Sequence, residues 1–295
     1  MQLFSLLRKT LSEYKNNAST IIKLVLLFYA LPVLITLSIA ALLFYSTGLS
    51  SDITKIVDLR NALNQSVQEN NLQLAEQNEK LLGETAFDML KKGAIIIIPV
   101  GILYIIAFFI MMLGWLSIFA ASFKKTRFSL AEALKEAKPF YWKFLSLYFV
   151  FAAILLLVLF LSLITVFLLA IIQEPIITAI LILTIFLLTI YLVITFILSP
   201  YILVKEKKKI FESLGKSWRL AHKNWGKIFG YTFLIVISLI ILGMIISGID
   251  YIITISLNLK ILHIILIIAQ YILNAFIIYP ILILFYKNFY LEAKK

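Results

Sequence analysis

The residue pattern is that of an all-α polytopic membrane protein, with six transmembrane helices in three pairs and an amphipathic interfacial helix ahead of each pair. Three features lead there. Hydrophobic residues fill 62% of the 295 positions and charged residues only 14%, unlike water-soluble domains. Several apolar runs exceed the roughly 20 residues that a helix needs to cross a hydrocarbon core, where backbone groups must satisfy one another. The basic residues gather between these runs. The net charge of +12 therefore reads as a membrane-orientation signal, and nucleic acid is not an expected partner, since reading a duplex needs a basic patch on an exposed folded face. Without cysteine the chain has no disulfide, thiolate metal site or cysteine nucleophile.

The opening stretch places Leu3, Leu6, Leu7 and Leu11 on one helical face, with Arg8, Lys9 and Lys15 elsewhere, which predicts a helix lying in the membrane interface. Span one is expected over residues 24–45, with Pro32 inside and Lys23 at its edge. Its polar lead is long and its apolar run exceeds the roughly 7 to 15 residues of a signal-peptide core, so it reads as a retained span. Residues 50–92 change character, with seven acids and many Asn and Gln. Ile53, Ile56, Leu63, Val67, Leu74 and Leu81 approach a three-four spacing that Arg60, Asn70 and Gln77 interrupt. A solvated, extramembrane helical hairpin prolonging spans one and two is expected. A docking site for a protein partner is the second reading of the same segment.

Span two lies within residues 93–123. Leu130, Leu134, Ala137 and Tyr141 then share a face and predict a second interfacial helix, bent at Pro139. Spans three and four follow at 144–172 and 176–204, separated by Gln173, Glu174 and Pro175. Residues 200–230 carry eight Lys or Arg, among them Lys207, Lys208 and Lys209, and lead into span five at 228–249. Span six is expected over 261–286, so that residues 1–295 form one membrane domain with 50–92 as its polar insertion.

The N-terminus, the two basic linkers and the C-terminus hold 4, 6, 8 and 3 Lys or Arg, or 21 of the 27. The positive-inside rule then predicts a cell (plasma or inner) membrane protein with both termini in the cytoplasm and residues 50–92 outside.

A shift of 80 residues relates Glu132, Ala133, Leu134 and Ala137 to Glu212, Ser213, Leu214 and Ser217, and Phe196, Pro200 and Lys207 to Phe276, Pro280 and Lys287. A weaker copy lies at Leu6, Leu7 and Thr10. The repeating unit is one interfacial helix plus two spans, present three times. Small residues at Ala133, Ala137, Ser213 and Ser217 permit close helix approach. Trp142, Trp218 and Trp225 suit headgroup depth, and Pro200 and Pro280 free a carbonyl one turn earlier.

Pro200, Glu212, Ser213, Leu214, Ser217, Trp225, Gly226 and Lys227 together resemble the six-span membrane domain attached to some glycerophosphodiester phosphodiesterases and its stand-alone bacterial and archaeal relatives. The resemblance covers most of the chain outside residues 50–92. It implies the membrane architecture and no catalysis, because the phosphodiesterase activity of that family belongs to a separate soluble barrel.

His222 and His263 fall on opposite sides of the expected membrane and lack neighbours at ligand spacing, so no metal is expected; with no phosphate-binding glycine loop, no cofactor is expected. Lys207, Lys208, Lys209, Lys216 and Arg219 are candidate contacts for anionic lipid headgroups. Asp250, ahead of an apolar continuation to Leu259, and Gln270 and Asn274, four residues apart in span six, form a candidate polar pathway. The leading expectation is a non-enzymatic envelope-maintenance or assembly protein in contact with anionic lipid. A transporter of a small solute or lipid, with its site among spans four to six, is the alternative.

Overall fold

The computed structural model describes residues 3–69, 71–172, 175–252 and 260–294, and every regular element among them is helical. Six runs are long and apolar enough to cross a membrane: Leu3–Ser46, Leu72–Ser122, Leu130–Thr165, Ile176–Glu206, Trp225–Tyr251 and Ile265–Ala293. The protein is an all-α polytopic membrane protein. Its long helices turn large apolar side chains outward, such as Leu156, Phe160 and Leu163, and Ile180, Leu183 and Phe186. Water would not tolerate so continuous an apolar surface, whereas lipid chains match it. The turn expected at Gln173 and Glu174, residues 253–259 after Asp250 and the side chain of His263 lie outside the described residues.

The chain divides into two units, Leu27–Met111 on the one hand and Met1–Leu26 with Met112–Lys295 on the other. In the first unit, α2 (Leu31–Ser46) passes to α3 (Leu49–Gln68) through Gly48, whose φ of 68° is a left-handed conformation that glycine adopts without a Cβ clash. Beyond α3 comes α4 (Leu72–Ser122), whose residues up to Met111 belong to this unit. At 1.5 Å per residue that part is roughly 60 Å long, about twice a hydrocarbon core. Lys92 Nζ meets Asp52 Oδ2 at 2.7 Å, and Asn78 Nδ2 lies 3.5 Å from Ser66 Oγ. Both pairs have their midpoint at position 72 and so define one antiparallel hairpin. Of the six apolar residues expected to form its seam, Ile53, Val67, Leu74 and Leu81 are exposed. The inner face follows Asp52, Ile56, Leu59, Leu63 and Ser66 instead, because the Asp52–Lys92 and Ser66–Asn78 pairs set the rotation of the helices.

In the second unit, α1 (Leu3–Val25) buries Leu6, Thr10, Asn17, Ile21 and Leu24, and it leaves Phe4 and Leu11 exposed. The leucine face expected from spacing is thus rotated toward polar residues. Asn17 explains the rotation: its side-chain amide donates to Thr126 O at 2.9 Å and its Oδ1 accepts from Phe128 N at 3.0 Å. A π-helical segment, Leu26–Ala30, follows α1 in the chain.

A capping box opens α5 (Leu130–Ala137), where Ser129 and Glu132 exchange backbone hydrogen bonds. A 3-10 turn at Lys138–Phe140 takes in Pro139 and leads to α6 (Tyr141–Ile172). The fourth span is broken: α7 (Pro175–Phe196) stops, residues 197 and 198 turn, and α8 (Ser199–Glu206) follows. Lys207, at φ 55°, ends α8 and redirects the chain into α9 (Ile210–Lys223), which is followed by α10 (Trp225–Tyr251). The last span also departs from a regular helix, with a π-helical segment, Asn274–Ile278, joining α11 (Lys260–Leu273) to α12 (Tyr279–Ala293).

Candidate functional site at the broken fourth span

Proline places the break. A residue at position 200 without an amide proton cannot bond the carbonyl of Phe196 one turn earlier. The Ser199 hydroxyl donates to that oxygen at 2.6 Å, and α7 ends there. Pro280 repeats the situation at Phe276, whose carbonyl accepts from the Tyr14 hydroxyl at 2.7 Å. One freed carbonyl is thus served locally and the other by α1.

Beside the first break lies a cavity of 230 Å³. Its walls are largely aromatic and include Trp115, Phe119, Phe144, Tyr148, Phe196 and Tyr201, with Ser199 and Pro200 at the break itself. Among the described residues no charged side chain lines it. A second cavity, of 290 Å³, lies beside the π-helical segment and is mainly aliphatic, with Leu3 and Leu7 facing Leu234, Ile235, Leu239 and Ile281. Asp250, Gln270 and Asn274 line neither of these two cavities. Each is half-buried, Asp250 near the end of α10, Gln270 in α11 and Asn274 at the start of the π-helical segment.

Around the break, α9 packs through its smallest residues. Ser213 and Ser217 are both 0% exposed, and Ser217 Oγ donates to Thr195 O at 2.7 Å, a backbone approach that a bulky side chain would prevent. Ala133 and Ala137 of α5 are likewise fully buried, Leu134 half-buried beside them, and Leu214 is buried on α9. The face of α9 next to its buried one carries aromatic rings. Trp218 stacks on His222 with ring centres 5.0 Å apart, and Tyr191 of α7 meets Trp218 at 5.7 Å and Trp225 at 5.2 Å.

The cations of this region fall into two groups. Lys216 is committed to Glu206, with Nζ 2.5 Å from Oε2, and Glu206 also accepts from Tyr290 at 2.7 Å and meets Lys294 at 3.1 Å. Lys216 therefore ties α9 to α8 and α12. Lys207, Lys208, Lys209 and Arg219 are exposed, and among the described residues only Lys208 of these four makes an ion pair, with Glu212 at 3.3 Å. On α5, hydrogen bonds from Lys125 and from the Ser129 backbone and hydroxyl hold the exposed Glu132 carboxyl at about 2, below the usual carboxylate range.

Lys207 and Lys287, 80 positions apart, occupy opposite environments. Lys287 is 1% exposed, and its ammonium lies 2.6 Å from Glu13 Oε2. Asn288 beside it donates to the same carboxylate oxygen at 3.2 Å and approaches Thr10 Oγ1 at 3.3 Å. Glu13, Glu206, Tyr290 and Lys294 were not singled out from sequence. Their partners stand as far as 274 positions away, and the only local signal is a charged group at the end of an apolar run.

Fold and site define a polytopic membrane protein with broken spans, one-sided helices joined to them and a cationic rim. Comparison with protein-family models, curated proteins and solved structures finds no match for the chain.

Proposed function

We propose that this chain is a non-enzymatic membrane protein of envelope-maintenance or assembly type, whose basic helices engage anionic lipid headgroups of the cytoplasmic leaflet. The observation that carries this reading is the surface of α9 and the segment before it. Ser213, Leu214, Ser217 and Ala221 face the protein, while Phe211, 75% exposed, and Trp218, 39% exposed, lie two helical turns apart on a neighbouring face. Lys207, Lys208, Lys209, Arg219 and Lys223 are exposed around them. An aromatic stripe beside a cationic one matches the boundary between acyl chains and headgroups. Each cation near an anionic leaflet contributes about 1 kcal/mol.

The three units of interfacial helix plus two spans, and the kinship with the membrane domain of glycerophosphodiester phosphodiesterases, belong to the same proposal. They are supported by the paired burial of Leu6 and Thr10, Ala133 and Ala137, and Ser213 and Ser217, each pair four residues apart. The location follows from the charge distribution: a plasma or inner membrane, with both termini inside and residues 50–92 outside. A partner protein at the outer hairpin is compatible with its exposed Ile53, Val57, Leu74 and Leu81.

Orientation is tested by single-cysteine variants, since the chain contains no cysteine of its own. In intact cells an impermeant thiol reagent should label Gln68→Cys and spare Lys208→Cys. The reverse pattern would overturn the placement of the basic rim.

A further inference from the structure

The cavity beside the broken fourth span has the properties of a ligand site rather than a packing fault. Irregular backbone within a membrane is tolerated where it is buried in protein or lines a cavity, and broken spans in membrane proteins often mark binding sites. Here Phe196, Ile197, Ser199, Pro200 and Tyr201 all line the space beside the break. Two of its three lining hydroxyls have their protons committed, Ser199 to Phe196 O at 2.6 Å and Tyr201 to Ile283 O at 3.1 Å. Tyr148 has no hydrogen-bond partner among the described residues, so its hydroxyl is a donor available to an occupant.

The lining defines the chemistry of that occupant. With no charged side chain, the walls provide nothing to compensate an ion brought out of water. Flat aromatic walls favour a flat occupant, because rings gain offset-stacked and edge-to-face contacts that a flexible chain does not. The cavity against α1 shows the contrast: Leu3, Leu7, Leu234, Ile235 and Ile281 suit an acyl chain, whereas around Tyr148 the aromatic rings outnumber the aliphatic side chains Leu147, Val193, Ile197 and Ile283. At 230 Å³ the space lies below the roughly 300 to 1,000 Å³ of sites for drug-sized ligands, which limits the occupant to one compact ring system.

We propose that this cavity binds one uncharged, flat-ringed apolar molecule bearing a carbonyl oxygen, with the Tyr148 hydroxyl donating to that oxygen. The site is independent of the cationic rim and requires no anionic lipid.

Trp115 lines the cavity and serves as its reporter. A variant keeping Trp115 as the sole tryptophan (Trp142→Phe, Trp218→Phe, Trp225→Phe) is placed in nanodiscs of neutral phosphatidylcholine. It is titrated with menadione, a flat uncharged naphthoquinone that finds no cysteine thiol to react with in this chain. Saturable quenching is expected. Tyr148→Phe, which keeps the ring and removes only the donor, should weaken binding about tenfold, the equivalent of one hydrogen bond. Ile197→Trp, which fills the space, should abolish saturation with the variant still monodisperse. Quenching that rises linearly with membrane partitioning would overturn the proposal. So would saturation indifferent to both substitutions, or displacement of menadione by oleate at equal concentration, which would reassign the cavity to an acyl chain.

Discussion

The Tyr14 hydroxyl donates to the carbonyl of Phe276 at 2.7 Å, the oxygen whose helical donor would be the amide that Pro280 lacks. One hydrogen bond thus links the first helix to the irregular segment of the last span. Leaving that carbonyl without a donor costs about 1 to 3 kcal/mol where water is excluded. Tyr14→Phe should destabilise the protein by that amount in a denaturant titration in detergent. In a Pro280→Ala background, where the helix recovers its own donor, the same substitution should cost much less. Equal costs in both backgrounds would show that the proline and the tyrosine are not coupled.

Lys287 and Glu13 form an ion pair in which the lysine side chain is 2% exposed. Removing one partner from a buried pair costs about 3 to 5 kcal/mol, because the other charge is stranded. Glu13→Gln, which strands the buried ammonium, should therefore destabilise strongly, and Lys287→Met, which leaves the part-exposed Glu13 carboxylate, should cost less. Glu13→Gln combined with Lys287→Met should be less harmful than the sum of the single changes, a coupling that a double-mutant cycle measures directly.

The outer hairpin has a register that cross-linking reads. Ser66→Cys with Asn78→Cys should form an intramolecular disulfide under mild oxidation, since the two side chains lie within 3.5 Å. Val67→Cys with Asn78→Cys, with one residue rotated to the exposed face, should not. Efficient closure of the second pair alone would move the register by one residue.

On α5 the Ser129–Glu132 capping box should respond to acid. The Glu132 carboxyl is held at about 2, below its unfolded value, so its contribution is present above about 4.5 and is lost as pH falls through about 2. Ser129→Ala should cost about 1 kcal/mol at neutral pH. A fluorescence-detected unfolding series from pH 7 to pH 2 should show that cost shrinking only at the acidic end.

Much of the architecture was legible because lipid enforces long apolar runs, and each of the six runs contains or overlaps an expected span. Pro200 and Pro280 marked irregular helix ahead of them, since a missing amide is a local property of the sequence. What one-dimensional spacing did not convey was rotation. Asn17 and Thr10 turn the buried face of α1 away from Leu11, and Asp52 and Ser66 turn that of α3 away from Ile53. In each case polar partners distant in sequence outweigh the nearest row of leucines. Lys216 shows the same limit: it reads as one more cation for lipid, yet Glu206, ten positions away, takes it into an internal ion pair.

The central claim concerns the remaining rim cations, and native mass spectrometry of protein extracted with its lipids tests it most directly. Wild type should retain anionic phospholipid in preference to phosphatidylcholine. The triple variant Lys207→Gln, Lys208→Gln, Lys209→Gln should lose that preference while keeping its monodispersity and, within the small cost of the exposed Lys208–Glu212 pair, its unfolding midpoint, because all three side chains are exposed. Lipid selectivity unchanged in the triple variant would contradict the assignment of this rim to the anionic leaflet.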